Sequence, residues 1–217
     1  GDAPAPTPDY NGGGNNGGNG NYGGGSGTGS YGSGSSLLGG GTKFTDIAGH
    51  WAKADIEVMA AKGIVTGVTD TTFEPDRNIT RAEFATLVSK ALNLNSLENP
   101  GFSDVAAGDW YYPFVCAAAN AGLIAGYDGS FRPDDLITRE EMAVIIAKAY
   151  QFRGGAVVKG GLDKFADKNE ISDWAWDSVD LVTSAGLVSG MTPTTFVAKA
   201  NATRAQTASL LRRLLAL

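Results

Sequence analysis

Three stretches of this 217-residue chain repeat one order of anchor residues, and that repetition constrains the fold more than any other feature of the sequence. The stretches 44–94, 102–152 and 165–217 each open on Phe-x-Asp, ending at Asp46, Asp104 and Asp167, and run on to a tryptophan, Trp51, Trp110 or Trp174. Twelve residues after each tryptophan stands a glycine (Gly63, Gly122, Gly186) that begins a Gly-φ-φ-x-Gly pattern closing at Gly67, Gly126 or Gly190. A phenylalanine follows (Phe73, Phe131, Phe196), and then a Thr-Arg motif: "ITRAEF" at Ile79, "ITREEM" at Ile137, "ATRAQT" at Ala202. So many anchors in one order, three times over, define an internal repeat.

Within each repeat the periodicity predicts helix–loop–helix. "WAKADIEVMAAK" carries apolar residues at helical spacing, and Gly63 stands where a helix-ending residue with positive φ is needed. Turn residues follow, and a second helix begins at the threonine. Its apolar stripe is Phe84, Leu87, Val88, Ala91 and Leu92 in the first repeat, Met142, Ile145, Ile146 and Ala149 in the second, and Leu210, Leu211, Leu214 and Leu215 in the third. A unit of this size cannot bury such a stripe alone. The expectation is an all-α fold in which three stripes meet around a pseudo-threefold axis as a central three-helix bundle, with an open solenoid of helical pairs as the alternative. The repeats are placed at 42–98, 99–160 and 161–217.

Residues 1–41 differ in kind. They hold more than half of the chain's 31 glycines behind a Pro-rich start, and they offer little to bury against the entropy of ordering. They are expected to form a disordered, flexible linker to something upstream. The formal charge of −6 argues against nucleic acid as a partner. With one cysteine (Cys116) and one histidine (His50) the chain has no means for a disulfide or an ordinary zinc site, and no cofactor or metal is expected. Cys116 reads as a buried small hydrophobe and His50 as a helix-start or surface residue. No run of 18 or more apolar residues exists, so no membrane insertion is expected.

Thr80, Thr138 and Thr203, with Glu83, Glu141 and Gln206 three residues on, form capping boxes, which start helices and need no function. Arg81, Arg139 and Arg204 are different: a cation at the first helical position faces the positive end of the helix dipole. Three in register suggest that something anionic is held there, by free helix amides together with a guanidinium fork. The plainer alternative is an ion pair with Asp46, Asp104 or Asp167 of a neighbouring repeat. Trp51, Trp110 and Trp174 read either as core pieces or as stacking faces for a sugar ring beside those aspartates. Gly67, Gly126 and Gly190 read as turns, or as places where backbone approaches a ligand.

Together the "F-x-D…W", "G-φ-φ-x-G…F-x-P" and "TRAE"-type motifs resemble the surface-layer homology (SLH) domain of bacterial cell-surface proteins, over residues 44–217. The resemblance implies an extracellular module that anchors non-covalently to the cell wall. It implies binding of a pyruvylated secondary cell wall polysaccharide, through its ketal-pyruvylated N-acetylmannosamine unit, in grooves between repeats, and contact with other surface-layer protomers. Carried over by position, the carboxylate-binding role falls on Arg81, Arg139 and Arg204, the groove partners are Asp46, Asp104, Asp167, Trp51, Trp110 and Trp174, and the loops at Gly67, Gly126 and Gly190 complete each site. The third repeat departs from the pattern, with "FVA" for Phe-x-Pro, Gln206 for Glu and Thr207 on the apolar stripe, so the groove using its loop is expected to be the weakest. Two other readings stand beside this one: a helical protein–protein scaffold whose arginines only bridge repeats, and a wall-active hydrolase, for which no Asp/Glu pair stands apart from the repeat pattern.

Overall fold

The structure, a computed structural model, describes residues 44–216; the Gly-rich segment read as a linker lies outside the described residues. Each repeat contributes two α-helices: α1 (Lys53–Ala61) and α2 (Arg81–Leu92), α3 (Tyr112–Asn120) and α4 (Arg139–Phe152), α5 (Asp173–Ser184) and α6 (Arg204–Leu215). A single 3₁₀ turn at Thr45–Ile47 overlaps the first Phe-x-Asp anchor and another at Lys168–Glu170 follows the third, and the only β pairings among the described residues are isolated bridges.

Local chemistry accounts for the boundaries. Thr80, Thr138 and Thr203 cap α2, α4 and α6, each side chain accepting from the amide three residues on, while Glu83, Glu141 and Gln206 return to the cap amide. The first helix of each repeat ends at Gly63, Gly122 or Gly186, whose φ values of +69°, +73° and +71° lie where a side chain is costly. The next amide closes the end by bonding back across the turn, Ile64 to Met59, Leu123 to Ala118 and Leu187 to Val182. The helix starts near the tryptophans differ from the expectation. α1 begins at Lys53, two residues beyond Trp51, and Trp174 lies inside α5. His50 stands just ahead of the helix start, its Nδ1 accepting the Ala52 amide at 3.1 Å, and α1 has no side-chain cap.

The helices pair across repeats. α3 of the second repeat packs on α2 of the first, α5 of the third on α4 of the second, and α1 of the first on α6 of the third. That last pairing closes a ring that an open stack would leave unmade. At its centre α2 touches both α4 and α6, and Phe84, Val88, Met142, Ile146, Leu211 and Leu214 are buried there. Beside them runs a three-membered cycle of backbone hydrogen bonds. Ile79 donates to Ala202 (3.0 Å), Ala202 to Ile137 (2.9 Å) and Ile137 to Ile79 (3.1 Å). These are the residues that precede the three capping threonines.

The third repeat's departures are absorbed locally. Thr207, fully buried on the apolar stripe, donates its hydroxyl to Thr203 O at 3.0 Å. Ala198 stands where the other repeats have proline, and it supplies the same carbonyl acceptor to a neighbouring helix as Pro75 and Pro133 do. Cys116 is buried, and burial pushes its thiol pKa up. No helix among the described residues is long and apolar enough to cross a membrane.

Candidate functional site

The motif arginines are buried, at 9 % (Arg81), 3 % (Arg139) and 8 % (Arg204) exposure, and each reaches out of its own repeat into the next. Arg81 donates from Nε to Phe131 O (2.9 Å) and from Nη2 to Ala125 O (3.3 Å), both in the second repeat. Arg139 repeats this with Phe196 O (3.0 Å) and Ser189 O (2.7 Å) in the third. Arg204 does so with Phe73 O (2.9 Å) and Thr66 O (2.7 Å) in the first. Each guanidinium also lies over the phenylalanine ring of the loop it grips, at 5.0, 4.7 and 4.5 Å from the centroid. The arginines therefore hold the ring of repeats together in the same cyclic order as the helices.

The helix amides beside them are not free, contrary to the expectation. Arg81 and Ala82 donate to Asp135 O and Pro133 O, Arg139 and Glu140 to Ala200 O and Ala198 O, and Arg204 and Ala205 to Arg77 O and Pro75 O. The orphan donors that make a helix start attractive to anions are satisfied by carbonyls of the next repeat. Any anion held here must be held by side chains.

Nor do the arginines pair directly with aspartates. Each Asp carboxylate folds onto its own repeat's loop. Asp46 accepts the Phe73 and Glu74 amides at 2.7–3.0 Å, Asp104 those of Phe131 and Arg132 at 2.7–2.8 Å, and Asp167 those of Phe196 and Val197 at 2.7–3.1 Å. The second residue of each pair has positive φ (Glu74 57°, Arg132 59°, Val197 58°), a conformation non-glycine residues hold only when neighbours fix it. For Asp46 and Asp167 desolvation alone would raise the carboxyl pKa; the loop amides, their own amides and the field of the nearby motif arginine outweigh it and hold both below the usual carboxylate value.

Gly67, Gly126 and Gly190 answer to space. A Cβ at each would fall 2.5–2.6 Å from Cε1 of Phe44, Phe102 and Phe165, the opening phenylalanine of the same repeat. Trp51 and Trp110 are 64 % and 61 % exposed, whereas Trp174 is half-buried against the core.

What does converge is one tryptophan, one motif arginine and one loop glycine, each from a different repeat, and none of the aspartates. Trp51 of the first, Arg139 of the second and Gly190 of the third line a cavity of about 410 Å³, together with Gln206, Ser209 and Arg213 of α6. That volume lies within the ~300–1,000 Å³ range of small-molecule sites. The loop expected to give the weakest groove is the one that lines this opening. No carboxylate lines it. The Arg213 guanidinium reaches Ser189 Oγ (3.1 Å) and Leu187 O (3.3 Å), so Arg139 and Arg213 meet at the same loop residue. Burial pushes Arg139 down to about 10, with only the field of Asp167 opposing it; Arg139 stays a cation at neutral pH. Arg81 and Arg204 are also shifted down by burial, but each has several carboxylates nearby that counter it.

Arg213 and Ser209 were not singled out by the motifs. A signal existed for the first: nine residues after each motif arginine the chain carries a base, Lys90, Lys148 or Arg213. Among the described residues no group of three or more His, Cys, Asp or Glu side chains could hold a metal.

With known proteins, the sequence profile of the S-layer homology domain matches residues 43–85, 101–143 and 164–208. The chain is 42 % identical over 174 residues to an amylopullulanase of Thermoanaerobacterium thermosulfurigenes, a match covering 79 % of this chain and 9 % of that protein. It is 41 % identical over 183 residues to exoglucanase XynX of Acetivibrio thermocellus (83 % of this chain, 17 % of that protein). Against an S-layer protein of Bacillus thuringiensis subsp. finitimus it is 33 % identical over 183 residues (82 % and 22 %). The chain spans less than a quarter of the length of these curated relatives.

Proposed function

Because the chain belongs to the S-layer homology domain family, we propose that it is a non-covalent anchor that binds an acidic secondary cell wall polysaccharide in its inter-repeat grooves, the ketal-pyruvylated N-acetylmannosamine unit being the part recognised. Family membership makes this a cell-surface, cell-wall-associated protein. The observation that carries the glycan reading is the cavity in which Trp51, Arg139 and Gly190 converge. An exposed indole offers a stacking face to a sugar ring, and an arginine in direct ion pair with no carboxylate of the cavity offers a charge-assisted donor to a pyruvyl carboxylate. The role is binding; a chain with an overall charge of −6 approaches an anionic polymer against its own field, so attraction is local to the grooves.

Titrating the protein with purified pyruvylated wall polymer, and with the same polymer stripped of pyruvate, tests this. The pyruvylated form is expected to bind at least tenfold more tightly, about 1.4 kcal/mol or more; equal binding removes the carboxylate from the recognition. A second reading, a scaffold that joins surface-layer protomers without touching glycan, is favoured by the way Arg81 and Arg204 are engaged across repeats. Under it Arg81→Ala and Arg204→Ala lower stability, and the wild-type chain binds neither polymer.

A further inference from the structure

The three grooves share a backbone plan and differ in the side chains that meet the motif arginine. Where α6 presents Gln206 to Arg139, α4 presents Glu141 to Arg81 and α2 presents Glu83 on the Arg204 side. Arg81 is ion-paired with Glu141 at 3.2 Å, and Arg132 also approaches that carboxylate, at 3.9 Å. On the Arg204 side, Glu83 is drawn into a 2.6 Å pair with Arg77, and its field still acts on Arg204. Only Arg139 meets a neutral amide, Gln206 Oε1 at 3.3 Å. A second observation falls in the same groove, and Thr86, the matching residue of α2, shares it. The hydroxyl of Ser209, 3 % exposed and lining the cavity, has no hydrogen-bond partner. A buried hydroxyl left in that state is a standing cost that a ligand oxygen would relieve.

We infer that the groove between the second and third repeats is this chain's principal anion site. It takes the carboxylate of an acidic sugar between Arg139 and Arg213, with Ser209 bonding to the same residue, and Gln206 is the residue that keeps it open. In the other two grooves the chain's own glutamates stand where the ligand's carboxylate would. The inference rests on the glycan-binding reading above and narrows it from three equivalent grooves to one.

The test is built into the repeats. Gln206→Glu gives the third capping box the residue that Glu83 and Glu141 already supply in the other two, so the helix start is preserved. The 217-residue protein, its Gln206→Glu variant and its Arg213→Gln variant are titrated calorimetrically with pyruvylated polymer fragments, and thermal melting of each is recorded. The wild type is expected to show one tight site per chain. Gln206→Glu is expected to weaken it at least tenfold while melting at or above the wild-type temperature, because a carboxylate now neutralises Arg139, and Arg213→Gln is expected to weaken it several-fold. Two or three equal tight sites, or Gln206→Glu binding within twofold of wild type, overturns the inference while the anchoring reading stands. Failure of the wild type to bind the pyruvylated polymer overturns both.

Discussion

At the scale of single residues, the same letter does different work in different places. Asp46 and Asp167 follow the phenylalanine anchors by two positions, which in sequence suggested sugar-binding carboxylates; in the fold they hold two consecutive loop amides, the second in a strained conformation. Their native pKa values lie below the unfolded value of 3.8, so the unfolded chain takes up protons first as the solution is acidified. The stabilisation they give is therefore complete above the unfolded pKa and is lost as pH falls through the lower native one. Urea midpoints measured from about pH 6 down to about pH 3 should fall in the acid range for the wild type. Asp46→Asn and Asp167→Asn should start about 1–2 kcal/mol less stable and lose part of that acid dependence; an unchanged acid slope removes these carboxylates from the account. The arginines teach the complementary lesson. Their oddness was visible from the helix dipole, but their partners were not, because Arg204 meets Phe73 O across 131 positions of chain. A single sequence shows which residue is out of place and not what stands opposite it.

At the scale of the element, most of the architecture was legible because its causes are local. Capping boxes, apolar stripes and helix-ending glycines act within one or two turns, and each appears where its spacing put it. The Gly-φ-φ-x-Gly element shows where such reading stops, since its two glycines serve different needs. Gly122 has φ +73° with open space around its missing Cβ, while a Cβ on Gly126 would meet Ser130 O at 2.5 Å and Phe102 Cε1 at 2.6 Å. Gly122→Ala should then cost about 1 kcal/mol of backbone strain. Gly126→Ala should cost about 2–3 kcal/mol, because loop backbone and a packed ring must both move. Chemical denaturation of the two variants decides the point, and equal losses would mean that the close packing of loop on Phe102 does not matter. Pattern alone makes both glycines turns; only the packed phenylalanine separates them.

At the scale of the whole molecule, closure is the property that no single repeat contains. Helix pairs, arginine grips and the three-bond cycle all run from one repeat to the next and return to the first through α1 on α6 and Arg204 on the first loop. Stability is thus shared round a ring, unlike a stack in which each unit leans only on its neighbours. A chain beginning at Gly101 keeps the second and third repeats but loses α1 from α6 and the Ile79 member of the cycle. It should show no cooperative thermal transition by circular dichroism; a stack would retain roughly two-thirds of its structure with a sharp melt. The sequence favoured closure from the repeat number and the stripes, but the asymmetry among the grooves, set by Gln206 against Glu83 and Glu141, emerges only when the loops of one repeat are laid against the helices of another.

The cycle joining Ile79, Ala202 and Ile137 carries one more consequence. Every donor in it points the same way round, and every acceptor belongs to a different repeat, so the bonds are blind to which repeats are covalently joined. Three separate polypeptides, each one repeat long, would satisfy the same cycle as a homotrimer. Joining them end to end adds no bond to that centre; what it adds is the freedom for the three copies to diverge, and Gln206 facing Arg139 is what such divergence looks like in this chain.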